Sequence, residues 1–225
     1  MILQIETATT VCSVALAHEG KLIALRERNE RNVHAEVITI YIDEVMKEAG
    51  ITFADLDAVA VSCGPGSYTG LRIGVSTAKG LCFASDKPLI AVETLEAMTA
   101  GVIASNLTGE AQLLCPMIDA RRMEVYTALF DRNGNNVKPT NAAIIDEHSF
   151  ADKLADQKVL FFGDGAEKCR GALGGSPNAL FLSDFLNSAA HLTTIAQQKL
   201  EAKQFEDVAY FEPFYLKDFI AGKKS

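Results

Sequence analysis

Residues 62–74 form the stretch Ser62-Cys63-Gly64-Pro65-Gly66-Ser67-Tyr68-Thr69-Gly70-Leu71-Arg72-Ile73-Gly74. The apolar run 58–61 precedes this stretch, and small and apolar residues continue after it to about residue 84. The two glycines beside Pro65 allow the backbone to turn sharply, while the proline itself fixes one backbone angle. Ser67 and Thr69 are both suitable N-caps for a following helix. The stretch therefore predicts a strand, a glycine-rich turn and a helix, in that order.

The composition restricts the class of protein. The chain has 225 residues, enough for one large domain or two smaller ones. Its formal net charge of −8 argues against extensive direct binding of nucleic acid, so we expect any role with RNA to depend on a partner. No apolar run approaches the roughly 18 residues of a membrane span, and we expect a cytoplasmic protein. The five cysteines form no C-x-x-C pair and are expected to be structural.

The two halves of the chain share a repeated pattern. Residues 2–5 predict a strand that ends at Glu6, followed by a polar turn at 7–10 and then by a hairpin of two strands. In the second half, the predicted strand 113–118 ends at Asp119 and leads through a short turn into a similar hairpin. Alternating helices and strands follow each meander, which indicates mixed sheets covered by helices.

This duplicated arrangement is typical of the actin-like ATPase (ribonuclease-H-like) fold. We therefore predict an α/β protein with two similar lobes, each built on a mixed sheet flanked by helices. The junction is expected near 106–109, which gives an N-terminal lobe at 1–106 and a C-terminal lobe at 107–225. Whether the tail at 212–216 returns to the first lobe stays open at the level of sequence.

Two predicted helices of the first lobe have unusual surfaces. One is apolar over more of its circumference than a single buried face requires, and the other carries a strip of small residues. In the helix that begins near His34, apolar side chains cover roughly 240° of the circumference, against the roughly 100° of a surface helix. In the helix after the glycine-rich turn, small residues recur every four positions, although an interior glycine costs about 0.5–1 kcal/mol relative to alanine. Burial within the lobe and contact with a partner both explain these patterns. The candidate partner contacts are Val37, Ile40, Tyr41, Gly70, Leu71, Gly74 and Ala78.

The sequence offers few candidates for chemistry. The glycine-rich turn lacks the G-K-[ST] ending of a P-loop, so no lysine is placed for nucleotide phosphates. The four histidines are isolated, His34 is expected at the surface or in a helix cap, and Cys63 has no neighbouring base to activate it. Strand-end acids and nearby threonines are candidates for binding a nucleotide, and capping of the strand ends explains them equally well. These residues are Glu6, Thr7, Thr9 and Asp119.

Four segments resemble the signatures of the bacterial TsaB (YeaZ) family. They are Glu6-Thr7-Ala8-Thr9, the glycine-rich stretch from Gly64 to Gly74, Ile118-Asp119-Ala120-Arg121-Arg122-Met123-Glu124-Val125-Tyr126, and Pro213-Phe214-Tyr215-Leu216-Lys217. The resemblance covers essentially the whole chain. Glu6 departs from the family pattern, which usually has aspartate at that position.

The resemblance implies an actin-like fold and a role in making threonylcarbamoyladenosine at position 37 of tRNAs that read ANN codons. It implies two partners: the paralogue TsaD, which transfers the threonylcarbamoyl group, and the ATPase TsaE. The contact with TsaD would use the N-terminal helices, and homodimers would use the same surface when TsaD is absent. TsaD-type proteins carry a metal-binding H-x-x-x-H, where this sequence has Thr94 and Met98. No cofactor is implied for the chain alone, with ATP or ADP placed at an interface with partner proteins.

Together these observations predict a non-catalytic subunit that binds and activates a TsaD-type threonylcarbamoyl transferase and meets tRNA only through the complex. The alternatives are an ATP-dependent phosphotransferase or ATPase of the actin-like fold and a metallopeptidase-like protein. If the small-residue strip contacts the partner, replacement of Gly74 by leucine should separate the complex while the monomer stays folded.

Overall fold

The structure, a computed structural model, describes residues 1–217 and contains two five-stranded mixed sheets. The strands are β1 (Ile2–Glu6), β2 (Val11–His18), β3 (Lys21–Asn29), β4 (Ala58–Gly64), β5 (Leu89–Glu93), β6 (Leu113–Asp119), β7 (Glu124–Asp131), β8 (Asn136–Ile144), β9 (Val159–Phe162) and β10 (Ala179–Leu182). The first sheet has the order β3-β2-β1-β4-β5, and the second has the equivalent order β8-β7-β6-β9-β10. In each sheet the first strand pairs antiparallel with the second and parallel with the fourth. The predicted repeat of meander and α/β units is therefore confirmed.

Helices cover both sheets. They are α1 (His34–Ala49), α2 (Tyr68–Ser85), α3 (Thr94–Ala104), α4 (Ala151–Leu154), α5 (Ala166–Leu173) and α6 (Thr193–Glu201), with short 3₁₀ turns at Phe53–Asp55 and Ala189–Leu192. Of the two predicted N-caps, Ser67 is the one that caps α2: its hydroxyl accepts a hydrogen bond from the Gly70 N–H at 3.3 Å. Within the described part of the chain, no helix is long and apolar enough to cross a membrane.

The first sheet has a helical layer on each face, which explains why its central strands β1 and β4 are buried along their whole length. On one face, α1 and α2 pack through residues such as Val45 and Val75. On the other face lie α3, α6 and the 3₁₀ turn before α6, with Leu192 in the core. Helix α3 also contributes Leu95 and Met98 to a core of the second sheet, so it joins the two lobes.

The C-terminal part of the chain returns to the first lobe, and the return begins earlier than the predicted lobe boundaries allow. The Thr193 hydroxyl donates to Gln4 Oε1 at 3.0 Å. Farther along, the Glu206 N–H donates to the Leu89 carbonyl at 2.9 Å. The division into 1–106 and 107–225 thus separates the two sheets, but α6 and the turn before it cover the second face of the first sheet. Val208 and Phe211 then pack against the core on the other face. We name residues 206–217 the C-terminal strap.

The strip of small residues on α2 packs inside the first lobe. Gly70, Leu71, Gly74 and Ala78 are all buried in the single chain. A Cβ atom on Gly70 would lie 2.1 Å from the Thr7 carbonyl oxygen, and one on Gly74 would lie 2.1 Å from Thr7 Oγ1. These four positions are therefore not available to a partner on the folded chain, which corrects their assignment as partner contacts. A leucine at position 74 would disturb the lobe itself.

The glycine contacts give a test within one helix. We expect Gly70→Ala to lower the free energy of unfolding by about 1–3 kcal/mol, because the new methyl group overlaps the Thr7 carbonyl. Gly80, exposed on the same helix, has no atom within 4 Å of an added Cβ. Gly80→Ala should raise the free energy of unfolding by about 0.5–1 kcal/mol. Urea denaturation of both variants measures the difference, and equal effects would contradict the packing role of Gly70.

Candidate functional site

A cleft of about 1230 Å³ lies between the two lobes. The first lobe lines it with the β1–β2 turn and with the starts of α1 and α2. The second lobe contributes the β6–β7 turn, residues 119–124, and the strap adds its last described residues, 214–217. The segments that resemble family signatures in the sequence thus meet around one cavity.

The β1–β2 turn is held from two sides. On one side the Ser67 N–H donates to the Ala8 carbonyl at 2.7 Å, and Gly66 lies so close that a Cβ would be 2.4 Å from the same oxygen. On the other side His34 Nε2 lies 3.0 Å from the Thr9 carbonyl oxygen. His34 is 7% exposed, so its predicted place at the surface or in a cap is wrong. Its ring instead fixes the turn that forms one wall of the cleft.

The four nucleotide-site candidates separate into two pairs. Thr9 and Asp119 line the cleft from opposite lobes. Glu6 is 1% exposed and Thr7 is fully buried beneath the turn. The Ala8 N–H donates to Glu6 Oε1 at 2.6 Å. The geometry therefore brings two of the four to the cavity and places the other two in the interior.

Burial changes the chemistry of Glu6. Removal from water raises the pKa of its carboxyl group from the ordinary 4.5 to about 7, although the Ala8 N–H and the side chains of Ser62 and Asn187 act in the opposite direction. A carboxyl group that is about half protonated at neutral pH, and that is buried, is a poor ligand for a hard cation such as Mg²⁺. Glu6 is thus better suited to fixing the turn through Ala8 than to binding a metal.

Asp119, the equivalent acid of the second lobe, is exposed and makes its contacts through one carboxylate oxygen. Its Oδ1 accepts from the Arg121 N–H at 2.8 Å and forms an ion pair with Lys168. The Lys168 ammonium also donates to the Glu124 carbonyl at 2.6 Å. The Asp119 N–H in turn donates to Asp164 Oδ1 at 3.0 Å. These contacts support the capping explanation, since Asp119 closes the β6–β7 turn.

Two consecutive arginines in that turn have left-handed backbones, with φ of 73° at Arg121 and 50° at Arg122. Such a conformation costs a non-glycine residue roughly 1–2 kcal/mol. Hydrogen bonds across the turn maintain it: the Ala120 N–H donates to the Glu124 carbonyl at 3.0 Å, and the Glu124 N–H donates to the Arg121 carbonyl at 3.1 Å. Both arginines line the cleft. Sequence reasoning missed them, and the adjacent Arg-Arg pair was the available signal.

Aromatic rings border the cleft beside the strap. The rings of Tyr68 and Tyr215 lie 5.0 Å apart between centroids, and the Arg72 guanidinium is 5.4 Å from the Tyr68 ring. Lys217, also in the strap, forms an ion pair with Glu124 of the second lobe. The strap therefore connects the start of α2 with the β6–β7 turn across one end of the cleft.

A second concave surface, the α1–α2 groove, has a volume of about 480 Å³. It lies on the outer side of the first lobe and is lined by Thr39, Ile42, Asp43, Met46, Lys47, Ile51, Thr52, Phe53, Thr77 and Leu81. Phe53 is 40% exposed. None of the predicted contacts on α1 lines the groove: Ile40 is 52% exposed, Tyr41 is partly buried and Val37 is in the core.

The two positions at which the resemblance implies histidines in TsaD-type proteins are occupied here by packing residues. Thr94 is fully buried at the start of α3, and Met98 is 1% exposed in the core that α3 shares with the second sheet. Residues 1–217 contain no group of three or more His, Cys, Asp or Glu side chains that could hold a metal ion. The five cysteines are free and buried, and burial raises the pKa of the Cys63 thiol to about 12.

Comparison with known proteins places this geometry in context. A family model described as "TsaD: tRNA N6-adenosine threonylcarbamoyltransferase" matches residues 28–223. The Escherichia coli (strain K12) "tRNA threonylcarbamoyladenosine biosynthesis protein TsaB" is 34% identical over 231 residues, covering 99% of this chain and 97% of that protein. The solved structure of YeaZ from Pseudomonas aeruginosa is 26% identical, with a TM-score of 0.80 over 96% of this chain and 99% of the other.

A more distant structure shows the wider fold. The activator of the 2-hydroxyisocaproyl-CoA dehydratase from Clostridium difficile, solved with bound ADPNP, has a TM-score of 0.52 at 10% identity. The match covers 90% of this chain and 96% of that one. The predicted actin-like ATPase fold is confirmed.

The buried carboxyl group of Glu6 predicts a dependence of stability on pH. Between pH 4.5 and 7 the unfolded chain ionises this group while the folded chain keeps it protonated, so its contribution disfavours folding increasingly as pH rises. Glu6→Gln removes the ionisation and retains an oxygen for the Ala8 N–H. We expect the variant to gain about 3 kcal/mol relative to the wild type between pH 4 and pH 8, at about 1.4 kcal/mol per pKa unit. Urea denaturation across this range measures the gain, and a constant difference would refute it.

Proposed function

This chain belongs to the TsaB family, which acts in the biosynthesis of threonylcarbamoyladenosine in tRNA, and we propose that it is the non-catalytic subunit of the modifying complex. In this role it binds and activates a TsaD-type threonylcarbamoyl transferase. The product is N6-threonylcarbamoyladenosine at position 37 of tRNAs that read ANN codons. The place of action is the cytoplasm, where tRNA is modified.

The α1–α2 groove is the observation that carries this proposal. Met46 of α1 and Leu81 of α2 give it an apolar lining, and Phe53 adds an exposed ring at one side. Asp43 and Lys47 supply charged groups around this lining. An apolar centre with a polar rim is the usual anatomy of a protein–protein interface. The groove is formed by the two N-terminal helices that the family resemblance associates with the contact to TsaD.

The core packing around α3 supports different roles for the two subunits. Thr94 and Met98 contribute to packing at positions where the transferase paralogue carries its metal-binding histidines. A threonine and a methionine in the core do not replace two imidazoles as ligands of iron or zinc. In this proposal the partner supplies the metal and the group transfer, and this chain supplies a docking surface.

Three further elements belong to the same proposal. The chain alone has no cofactor, and ATP or ADP binds at an interface with partner proteins. Of the four residues considered for a nucleotide, Thr9 and Asp119 line the inter-lobe cleft and are open to a ligand. TsaE is a second partner of the complex. A homodimer forms through the α1–α2 groove when the transferase is absent.

Reconstitution tests the activation. Purified tRNA, threonylcarbamoyl-AMP, TsaD and TsaE are combined with and without this chain, and threonylcarbamoyladenosine is quantified by mass spectrometry after nuclease digestion. We expect product only, or many-fold faster, when the chain is present. Equal rates in its absence would refute an activating role, and steady ATP hydrolysis by the chain alone would favour the alternative of an ATPase.

A paired substitution tests the groove. Thr39 lines the groove and is exposed on α1, so Thr39→Arg places a long charged side chain in the interface without burying it in the folded chain. We expect the affinity for the TsaD-type partner to fall by about tenfold or more, since a hot-spot contact contributes roughly 2 kcal/mol. The homodimer should dissociate in parallel.

Thr194→Arg is the matched control, because Thr194 is also exposed but lies on α6, on the opposite face of the first sheet. Calorimetric titration with the partner and gel filtration measure both variants, and circular dichroism checks that each is folded. If Thr39→Arg binds as tightly as Thr194→Arg, the groove is not the partner surface.

A further inference from the structure

Three arginines face the cleft without a compensating charge. Arg31 comes from the segment between β3 and α1 of the first lobe, and Arg121 and Arg122 come from the β6–β7 turn of the second. All three are exposed. Within residues 1–217, none of their guanidinium groups has an ion pair or a hydrogen bond.

The acidic groups at the cleft are mostly neutralised by other cations. Asp119 is paired with Lys168, and Glu124 is paired with Lys217. Asp164, the remaining acid in the lining, accepts the N–H of Asp119. Among the lining residues within 1–217, the three arginines therefore leave a net positive charge at the cleft, whereas the whole chain has a formal net charge of −8.

Arginines elsewhere in the protein behave differently. Arg26 pairs with Glu44 and Glu48 on α1, and Arg170 pairs with Glu167 on α5. These pairs occupy the guanidinium groups with carboxylates of the same chain. The contrast marks the cleft as the place where free guanidinium groups are concentrated, and a guanidinium fork matches the geometry of a phosphate.

The dimensions of the cleft favour an extended anion. The cavity of about 1230 Å³ is larger than the roughly 300–1,000 Å³ of small-molecule pockets, and its arginines are supplied by both lobes. The N-terminus of the 18-residue helix α2 adds a partial positive charge to the same wall. Tyr215, 37% exposed, places an aromatic ring at the rim.

We propose that the inter-lobe cleft binds the phosphate backbone of the tRNA substrate directly when this chain is in the modifying complex. The inference rests on the proposed function, from which the tRNA comes, and adds a surface of this chain that contacts it. The chain alone is too acidic to hold RNA, so the contact contributes only after the partner has docked. Backbone contacts are not sequence-specific, so the contribution is the same for every tRNA that the complex modifies.

The test compares two charge-removing variants in the assembled complex with the TsaD-type partner. In the triple variant, Arg31→Gln, Arg121→Gln and Arg122→Gln remove the cleft charges. In the control, Arg132→Gln removes an exposed arginine outside the cleft, where its guanidinium donates to Thr108 Oγ1 at 3.0 Å. Fluorescence anisotropy with labelled full-length tRNA gives the Kd at several salt concentrations, and gel filtration confirms assembly.

We expect the triple variant to weaken tRNA binding by about tenfold or more at low salt and to reduce the slope of log K against log salt by about 2. The control should leave both values unchanged. An unchanged Kd and slope in a complex that assembles and modifies tRNA would overturn the inference and leave the proposed function intact. Failure of the wild-type chain to assemble with the transferase would overturn both.

Other occupants of the cleft give distinct results. Loss of ADP binding with full retention of tRNA affinity would assign the arginines to a free nucleotide. Loss of TsaE binding with the same retention would assign them to an acidic protein surface. Either result overturns the inference.

Discussion

The close contact between the β1–β2 turn and α2 is the constraint on which the rest of the first lobe depends. Only glycine lets the Thr7 carbonyl approach position 70, since an added Cβ would lie 2.1 Å from that oxygen. Because the turn packs directly on α2, the Ser67 N–H donates to the Ala8 carbonyl and the Ala8 N–H donates to the Glu6 carboxyl group. The energetic cost of glycines in a helix interior is thus offset by a turn whose backbone groups are satisfied.

Helices α1 and α2 contribute to two surfaces of the first lobe: the wall of the cleft and the α1–α2 groove. The starts of α1 and α2 hold the β1–β2 turn, through His34 and through the 66–74 segment. Their later turns form the α1–α2 groove, with Met46 and Leu81 in its lining. A partner in the groove would therefore contact the same rigid elements that position one wall of the cleft. In the proposed complex, docking and the geometry of the cleft would be linked through these helices.

The alternation of strands and helices could be predicted from the sequence because periodicity is local, and so could the repeated succession of these elements in the two halves of the chain. The sequence did not show which elements pack on each face of the sheets. The i, i+4 spacing on α2 identified a strip that needs close packing, yet only the tertiary structure shows that Thr7 occupies it. A lone His34 carries no pattern that predicts burial. The return of α6 to the first sheet likewise depends on a long-range contact that no local signal encodes.

The same topology in both lobes has produced two different sites. Glu6 and Asp119 end equivalent strands. In the first lobe the β1–β2 turn packs closely against the glycine-rich turn after β4, and the Glu6 side chain is buried beneath it. In the second lobe, Gly165 packs against the end of β6 instead, with its N–H donating to the Met117 carbonyl. The β6–β7 turn therefore stays open, and its left-handed backbone exposes Asp119 and the two arginines. The first lobe thus has a closed turn that packs on α2, and the second has an open turn that adds positive charge to the cleft.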